Sequence, residues 1–95
     1  MAQNDSANEA AKDANLARLR WGCRRGMLEL DVILEPFFDN QFTSLSEQQQ
    51  QIFERLLGCD DPELFAWIMG HEDCKDAELA AMVKTIVDYN RSLLH

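Results

Sequence analysis

The sequence predicts an all-α protein, a small five-helix bundle that forms a single domain. Apolar residues recur at three- and four-residue intervals along most of the chain, and no segment alternates as a strand would. The 95 residues are 46% hydrophobic with only two prolines and four glycines, which leaves room for one core and no linker. We expect residues 1–13 to be a frayed or disordered tail, since they hold no large apolar side chain after Met1, and residues 14–95 to form the helical domain.

The first two helices are expected to meet at a bend. Spacing predicts the first helix over about residues 14–23 and the second from about Met27 towards Phe38. Gly22 and Gly26 each cost a helix about 1 kcal/mol relative to alanine, so the chain should bend or break near residues 24–26. Pro36 lacks an amide hydrogen and should kink or loosen the last turns of the second helix. The predicted core stripe of that helix comprises Met27, Leu30, Leu34, Phe37 and Phe38.

Three further helices have recognisable ends. Ser46 and Gln49 fit a capping box at the start of the third helix, which Gly58 should end. The Asp-Pro pair at 61–62 supplies an N-cap and a proline for the first position of a short fourth helix. The last helix should begin near Asp76. Its expected core stripe comprises Leu79, Met82, Val83, Ile86, Asn90 and Leu93.

Charge is unevenly distributed. The chain has a net charge of -8, yet residues 16–25 hold four arginines and no acid. This predicts an acidic protein with one basic patch, which can steer towards an acidic or phosphate-bearing site while polyanions are repelled elsewhere. Four arginines are few for a surface that binds nucleic acid, so we expect no nucleic-acid partner.

The cysteines and the apolar runs indicate a cytoplasmic protein. Three cysteines, without the spacing of a disulfide framework, suit free thiols in a reducing compartment. The first residues lack the basic start and apolar core of a secretory signal, and no run approaches the roughly 18 apolar residues of a membrane span. We therefore expect no membrane insertion, and a monomer when the protein is free.

Neither a metal site nor an enzyme is expected. Cys59, His71 and Cys74 make a weak zinc signal because Cys59 has no close partner, and structural cysteines explain the same residues. No Ser/His/Asp order, paired histidines or glycine-rich phosphate loop is present. Cys23 beside Arg24 and Arg25 could have a lowered thiol pKa, but neither histidine is near it in sequence to act as a base. The expected catalytic residues, metals and cofactors are therefore none.

The segment at residues 24–31 breaks local rules and is the candidate binding site. It places two arginines at the start of a helix, where the macrodipole disfavours cations, together with a helix-breaking glycine. Such conflicts tend to mark functional sites, although good helix design alone explains acids in a first turn. The candidate binding residues are Arg24, Arg25, Gly26, Met27, Glu29 and Asp31.

Two motifs carry a family resemblance. One is Arg25-Gly26-x-x-Glu29, flanked by Trp-Gly-Cys-Arg at 21–24 and followed by Pro-Phe-Phe at 36–38. The other is Asp-Pro-Glu-Leu-Phe-x-Trp at 61–67. Together they resemble the succinate dehydrogenase FAD assembly factors, called SdhE in bacteria, over about residues 16–90. The N-terminal tail departs from the family, because it is longer than expected.

The resemblance implies a five-helix assembly factor rather than an enzyme. Such a protein binds the flavoprotein subunit of succinate dehydrogenase, and often of fumarate reductase, and promotes covalent attachment of FAD to a histidine of that subunit. The family's motif residues contact the flavoprotein, which here implies Arg25, Gly26 and Glu29. The same family has been described as an antitoxin and as a regulator, so an acidic protein that binds a toxin or nucleic acid is the alternative.

Overall fold

A computed structural model describes the backbone of residues 2–93 and the side chains of residues 11–93. Its regular structure consists of five α-helices and one turn of 3-10 helix, with no strand in the described range. The helices are α1 (Ala2–Gly22), α2 (Leu28–Gln41), α3 (Glu47–Leu57), α4 (Asp61–Ile68) and α5 (Ala77–Ser92), and the 3-10 turn spans Phe42–Ser44. The prediction of an all-α, five-helix fold is confirmed.

Helix α1 begins much earlier than the sequence predicts. The expected start is near residue 14, whereas the helix begins at Ala2. Side chains 11–15 are all exposed, so this part of the helix buries no face against the domain. A helix without a packed face depends on local propensity alone, which is marginal in water. Fraying of the tail over residues 1–13 therefore stays a prediction, as does the domain boundary at residue 14.

Helix α5 organises the core by packing against α2, α3 and α4. Its buried residues are Leu79, Met82, Val83 and Ile86, as the predicted stripe requires. The prediction is wrong for Leu93, the last residue of that stripe, because it lies beyond the end of the helix and is 52% exposed. Opposite α5, the Phe37 ring stacks on Phe53 with centroids 5.7 Å apart.

The helix ends confirm most of the capping predictions. Ser46 and Gln49 form the predicted capping box, with bonds of 3.0 and 3.1 Å. Asp76 caps α5 by accepting backbone N–H bonds from Glu78 and Leu79, both at 3.0 Å.

Helices α2 and α4 differ in detail from the predictions. Pro36 lies inside α2, which continues to Gln41. Asp60, rather than Asp61, occupies the N-cap position of α4, and it makes no side-chain capping bond. Asp61 is instead the first residue of the helix, where its carboxylate is free to take part in tertiary contacts.

Candidate functional site

The corner between α1 and α2 comprises residues 23–27, the five residues that separate the two helices. Cys23 is fully buried and ends the packed face of α1. Gly26 has a φ of +80°, in the left-handed region that glycine adopts without steric cost. The bend predicted near residues 24–26 is therefore confirmed, and Gly26 is the residue that allows it.

Arg25 turns its side chain into the molecule and braces this corner. Its Nε donates to Asp61 Oδ1 at 2.6 Å. Its Nη1 donates to the carbonyls of Gly22 at 3.0 Å and Leu57 at 2.8 Å, and its Nη2 to the carbonyl of Cys59 at 2.8 Å. Carbonyls at helix C-termini lack intrahelical partners and carry partial negative charge, which suits a guanidinium. One side chain thus joins the ends of α1 and α3 to the start of α4.

Asp31 holds the same corner from the other side. Its Oδ1 accepts the backbone N–H of Arg25 at 2.6 Å, so the loop is fastened to the first turn of α2. The carboxylate that pairs with the Arg25 guanidinium is that of Asp61, and not that of Glu29, which lies one turn along the chain. Arg25, with 16% of its side chain exposed, and Asp31 therefore shape the corner from within.

The other motif residues face outwards. Arg24, Gly26 and Glu29 are exposed, and neither Arg24 nor Glu29 has a hydrogen bond or ion pair with any side chain in residues 11–93. A Cβ atom added at Gly26 would meet nothing within 4 Å. Met27 is half-buried and packs against the core. The six candidate residues thus divide into an outer set of three and an inner set of three.

Three exposed apolar residues near the corner are not among the six candidate binding residues. Trp21 is 73% exposed, Leu28 72% and Val32 53%. Leu28 and Val32 are one helical turn apart on α2 and fall outside its predicted core stripe. Their position outside the core stripe is the feature of the sequence from which their exposure could have been predicted.

The basic patch expected from the sequence is largely neutralised in the fold. Three of its arginines form ion pairs: Arg18 with Glu54, Arg20 with Glu35 and Asp39, and Arg25 with Asp61. Arg24 alone among the four lacks such a partner within the described residues. Acids therefore neutralise much of the one basic patch expected at residues 16–25, and the unpaired positive charge of that patch is at Arg24.

Cys23 is not the activated thiol that its neighbours suggested. Burial raises the pKa of the Cys23 thiol to about 12, and this effect outweighs the opposing attraction of Arg20 and Arg25. Burial also raises the pKa of Cys59. The thiolate is the reactive form, so the lowered pKa that Arg24 and Arg25 could have given Cys23 is not found in the fold.

Within residues 11–93, no three His, Cys, Asp or Glu side chains cluster in a way that could hold a metal ion. No helix within residues 2–93 is long and apolar enough to cross a membrane.

Comparison with known proteins decides the family. A family described as "Flavinator of succinate dehydrogenase" matches residues 17–90. The chain belongs to this family. Those residues include the whole corner and all five helices, apart from residues 2–16 of α1 and residues 91–92 of α5. The resemblance drawn from the two motifs is confirmed.

Several relatives carry the name "FAD assembly factor SdhE". The protein of Idiomarina loihiensis is 59% identical over 78 residues, which cover 82% of this chain and 84% of the relative. That of Shewanella oneidensis is 64% identical over 69 residues, or 73% and 84% of the two chains. That of Colwellia psychrerythraea is 55% identical over 87 residues, or 92% and 94%. These matches span between 84% and 94% of each relative.

Proposed function

We propose that this protein binds the flavoprotein subunit of succinate dehydrogenase and promotes the covalent attachment of FAD to it. Membership of the flavinator family supports this function, since the relatives are named FAD assembly factors. The protein acts on its client as a binding partner and not as an enzyme. Fumarate reductase is a second client, and the free protein is a cytoplasmic monomer.

The observation that carries the proposal is the geometry of the corner. Arg25 and Asp31 fix the loop from within through five hydrogen bonds, which leaves the backbone of Gly26 exposed. A glycine lets a second protein approach the backbone closely. Arg24 and Glu29 stand on either side of it in sequence, exposed and available for pairing across an interface. A rigid, preorganised corner of this kind loses little conformational entropy on binding.

The division of labour between the two proteins follows from this geometry. The bond-forming chemistry belongs to the client's histidine and the flavin. This protein stabilises the client conformation in which the histidine and the flavin are correctly placed. Binding one conformation more tightly than another shifts the population towards it, so no reacting group is required from the assembly factor.

The proposal is tested by reconstitution with purified components. The client flavoprotein is prepared without covalent flavin and incubated with FAD, with and without this protein. We expect covalent flavin fluorescence on the client band of a denaturing gel to increase strongly when the protein is present. Equal labelling in both samples, together with no complex by size-exclusion chromatography, would contradict the proposed function.

A further inference from the structure

An exposed apolar strip lies on α2 beside the corner. It comprises the exposed Leu28 and Val32 and the half-buried Pro36, which follow one another at single helical turns. Leu28 and Val32 are 72% and 53% exposed, although the other large apolar residues of α2 are buried in the core. Scattered exposed apolar residues are normal, but an aligned set next to a binding site is not scattered.

The strip forms one side of a shallow surface groove of about 540 Å³. The groove is lined by Arg24, Leu28, Asp31, Val32, Glu35 and Pro36. Both of its acids are already engaged, since Glu35 pairs with Arg20 at 2.9 Å and Asp31 accepts the Arg25 amide at 2.6 Å. Arg24 is the charged group of the groove whose side chain makes neither an ion pair nor a hydrogen bond among the described residues. The groove therefore offers two apolar turns of helix and one unpaired cation.

We propose that this groove is a second part of the docking surface for the client flavoprotein, continuous with the corner at Gly26. The inference rests on the proposed function and extends the interface beyond the motif, along α2 to Pro36. The client segment that fits it presents an apolar side chain to Leu28 and Val32 and a carboxylate to Arg24. Arg24 belongs to both the corner and the groove, so one client surface can cover the two without a gap. Arginine is enriched among interface hot spots, which lie in well-packed, desolvated pockets, so Arg24 beside the apolar strip is the expected anchor of this contact.

The test compares two exposed apolar positions of nearly equal exposure. Val32 is 53% exposed and lies in the groove, whereas Leu93 is 52% exposed and lies after α5. The variants are Val32→Ser, Leu28→Ser and the control Leu93→Ser. Each is melted alone, and its Kd for the purified, flavin-free flavoprotein subunit is measured by biolayer interferometry. We expect about tenfold weaker binding for each groove variant, which is the loss of roughly one buried apolar contact, and no change for Leu93→Ser.

A second measurement requires no destabilising change. A photo-crosslinking amino acid is placed at position 28 or at position 93, and each protein is irradiated with the flavoprotein. We expect a crosslink from position 28 only.

If the wild-type protein binds but the groove variants bind equally well and position 28 gives no crosslink, the groove is not part of the interface, while the proposed function stands. If the wild-type protein does not bind the flavoprotein at all, both proposals fail. Loss of self-association in the groove variants, with client binding unchanged, would identify a second copy as the occupant and overturn the inference.

Discussion

Arg25 and Asp61 are separated by 36 residues in sequence, yet the arginine Nε and the aspartate Oδ1 are 2.6 Å apart. Each belongs to one of the two motifs from which the family resemblance was drawn. The two motifs are therefore physically joined: the second holds in place the arginine of the first. This contact gives the Arg25-Gly26-x-x-Glu29 corner its shape.

The first prediction concerns the bracing role of Arg25. We expect Arg25→Ala to lower the free energy of unfolding by about 2–3 kcal/mol, because hydrogen bonds to a charged group are lost and helix-end carbonyls are left unpaired. The matched control is Arg24→Ala, which removes an exposed, unpaired side chain and should change stability by no more than about 0.5 kcal/mol. Urea unfolding of both variants distinguishes them. Equal stability of the two variants would mean that the hydrogen bonds of Arg25 make no net contribution to the free energy of unfolding.

The second prediction concerns thiol reactivity. Because burial raises the pKa of Cys23 to about 12, its thiolate is nearly absent at pH 8. We expect iodoacetamide to label the half-buried Cys59 and Cys74 well before Cys23, and all three at similar rates in denaturant. Peptide mass spectrometry after timed quenching measures each rate. Preferential labelling of Cys23 in the folded protein would contradict its buried environment.

The third prediction concerns pH. Backbone N–H bonds at the start of α5, with help from Arg55, hold the pKa of Asp76 below its ordinary value of 3.8. A carboxylate whose pKa is lower in the folded state stabilises the fold above the unfolded pKa, and this contribution is lost as pH falls through the folded pKa. We expect Asp76→Asn to melt below the wild type at pH 7, and the difference to shrink as pH falls below 3.8. A difference that stays constant down to pH 2 would show that the charge of Asp76 is not involved.

The sequence predicts the helices well but misplaces the roles of individual residues at the corner. Periodicity and capping motifs are local, so the bend at Gly26 and the box at Ser46 could be read directly. The partner of Arg25 could not be predicted, because that partner, Asp61, lies on another helix. Local spacing points only to Glu29, the acid one turn along the chain. The neutralisation of the basic patch could not be predicted for the same reason, because the acids that pair with its arginines are close in space and not in sequence.

The sequence also fails to predict where α1 begins, for a different reason. The sequence predicts the helix only where large apolar residues begin, because burial usually provides most of a helix's stability. The structure continues the helix through residues 2–13, whose described side chains are exposed. Residues 11–13 bury no side chain against the domain, so apolar periodicity gives no sign of the helix there.

The central claim is that Gly26 lies where the client approaches, and a paired substitution tests it most directly. Gly26 and Gly70 have φ values of +80° and +77°, and a Cβ atom at either would meet nothing within 4 Å. Gly26→Arg and Gly70→Arg should therefore carry a similar strain of about 1 kcal/mol in their own fold. They differ in location, because Gly70 lies after α4, away from the corner.

The measurement is covalent flavin on the client flavoprotein, read by fluorescence in a denaturing gel after co-expression with each variant. We expect Gly26→Arg to abolish flavinylation, because the new side chain blocks close approach, and Gly70→Arg to support it at nearly the wild-type level. Melting each variant alone checks that both remain folded. Normal flavinylation with a folded Gly26→Arg, or equal loss with both variants, would contradict the assignment of the interface to this corner.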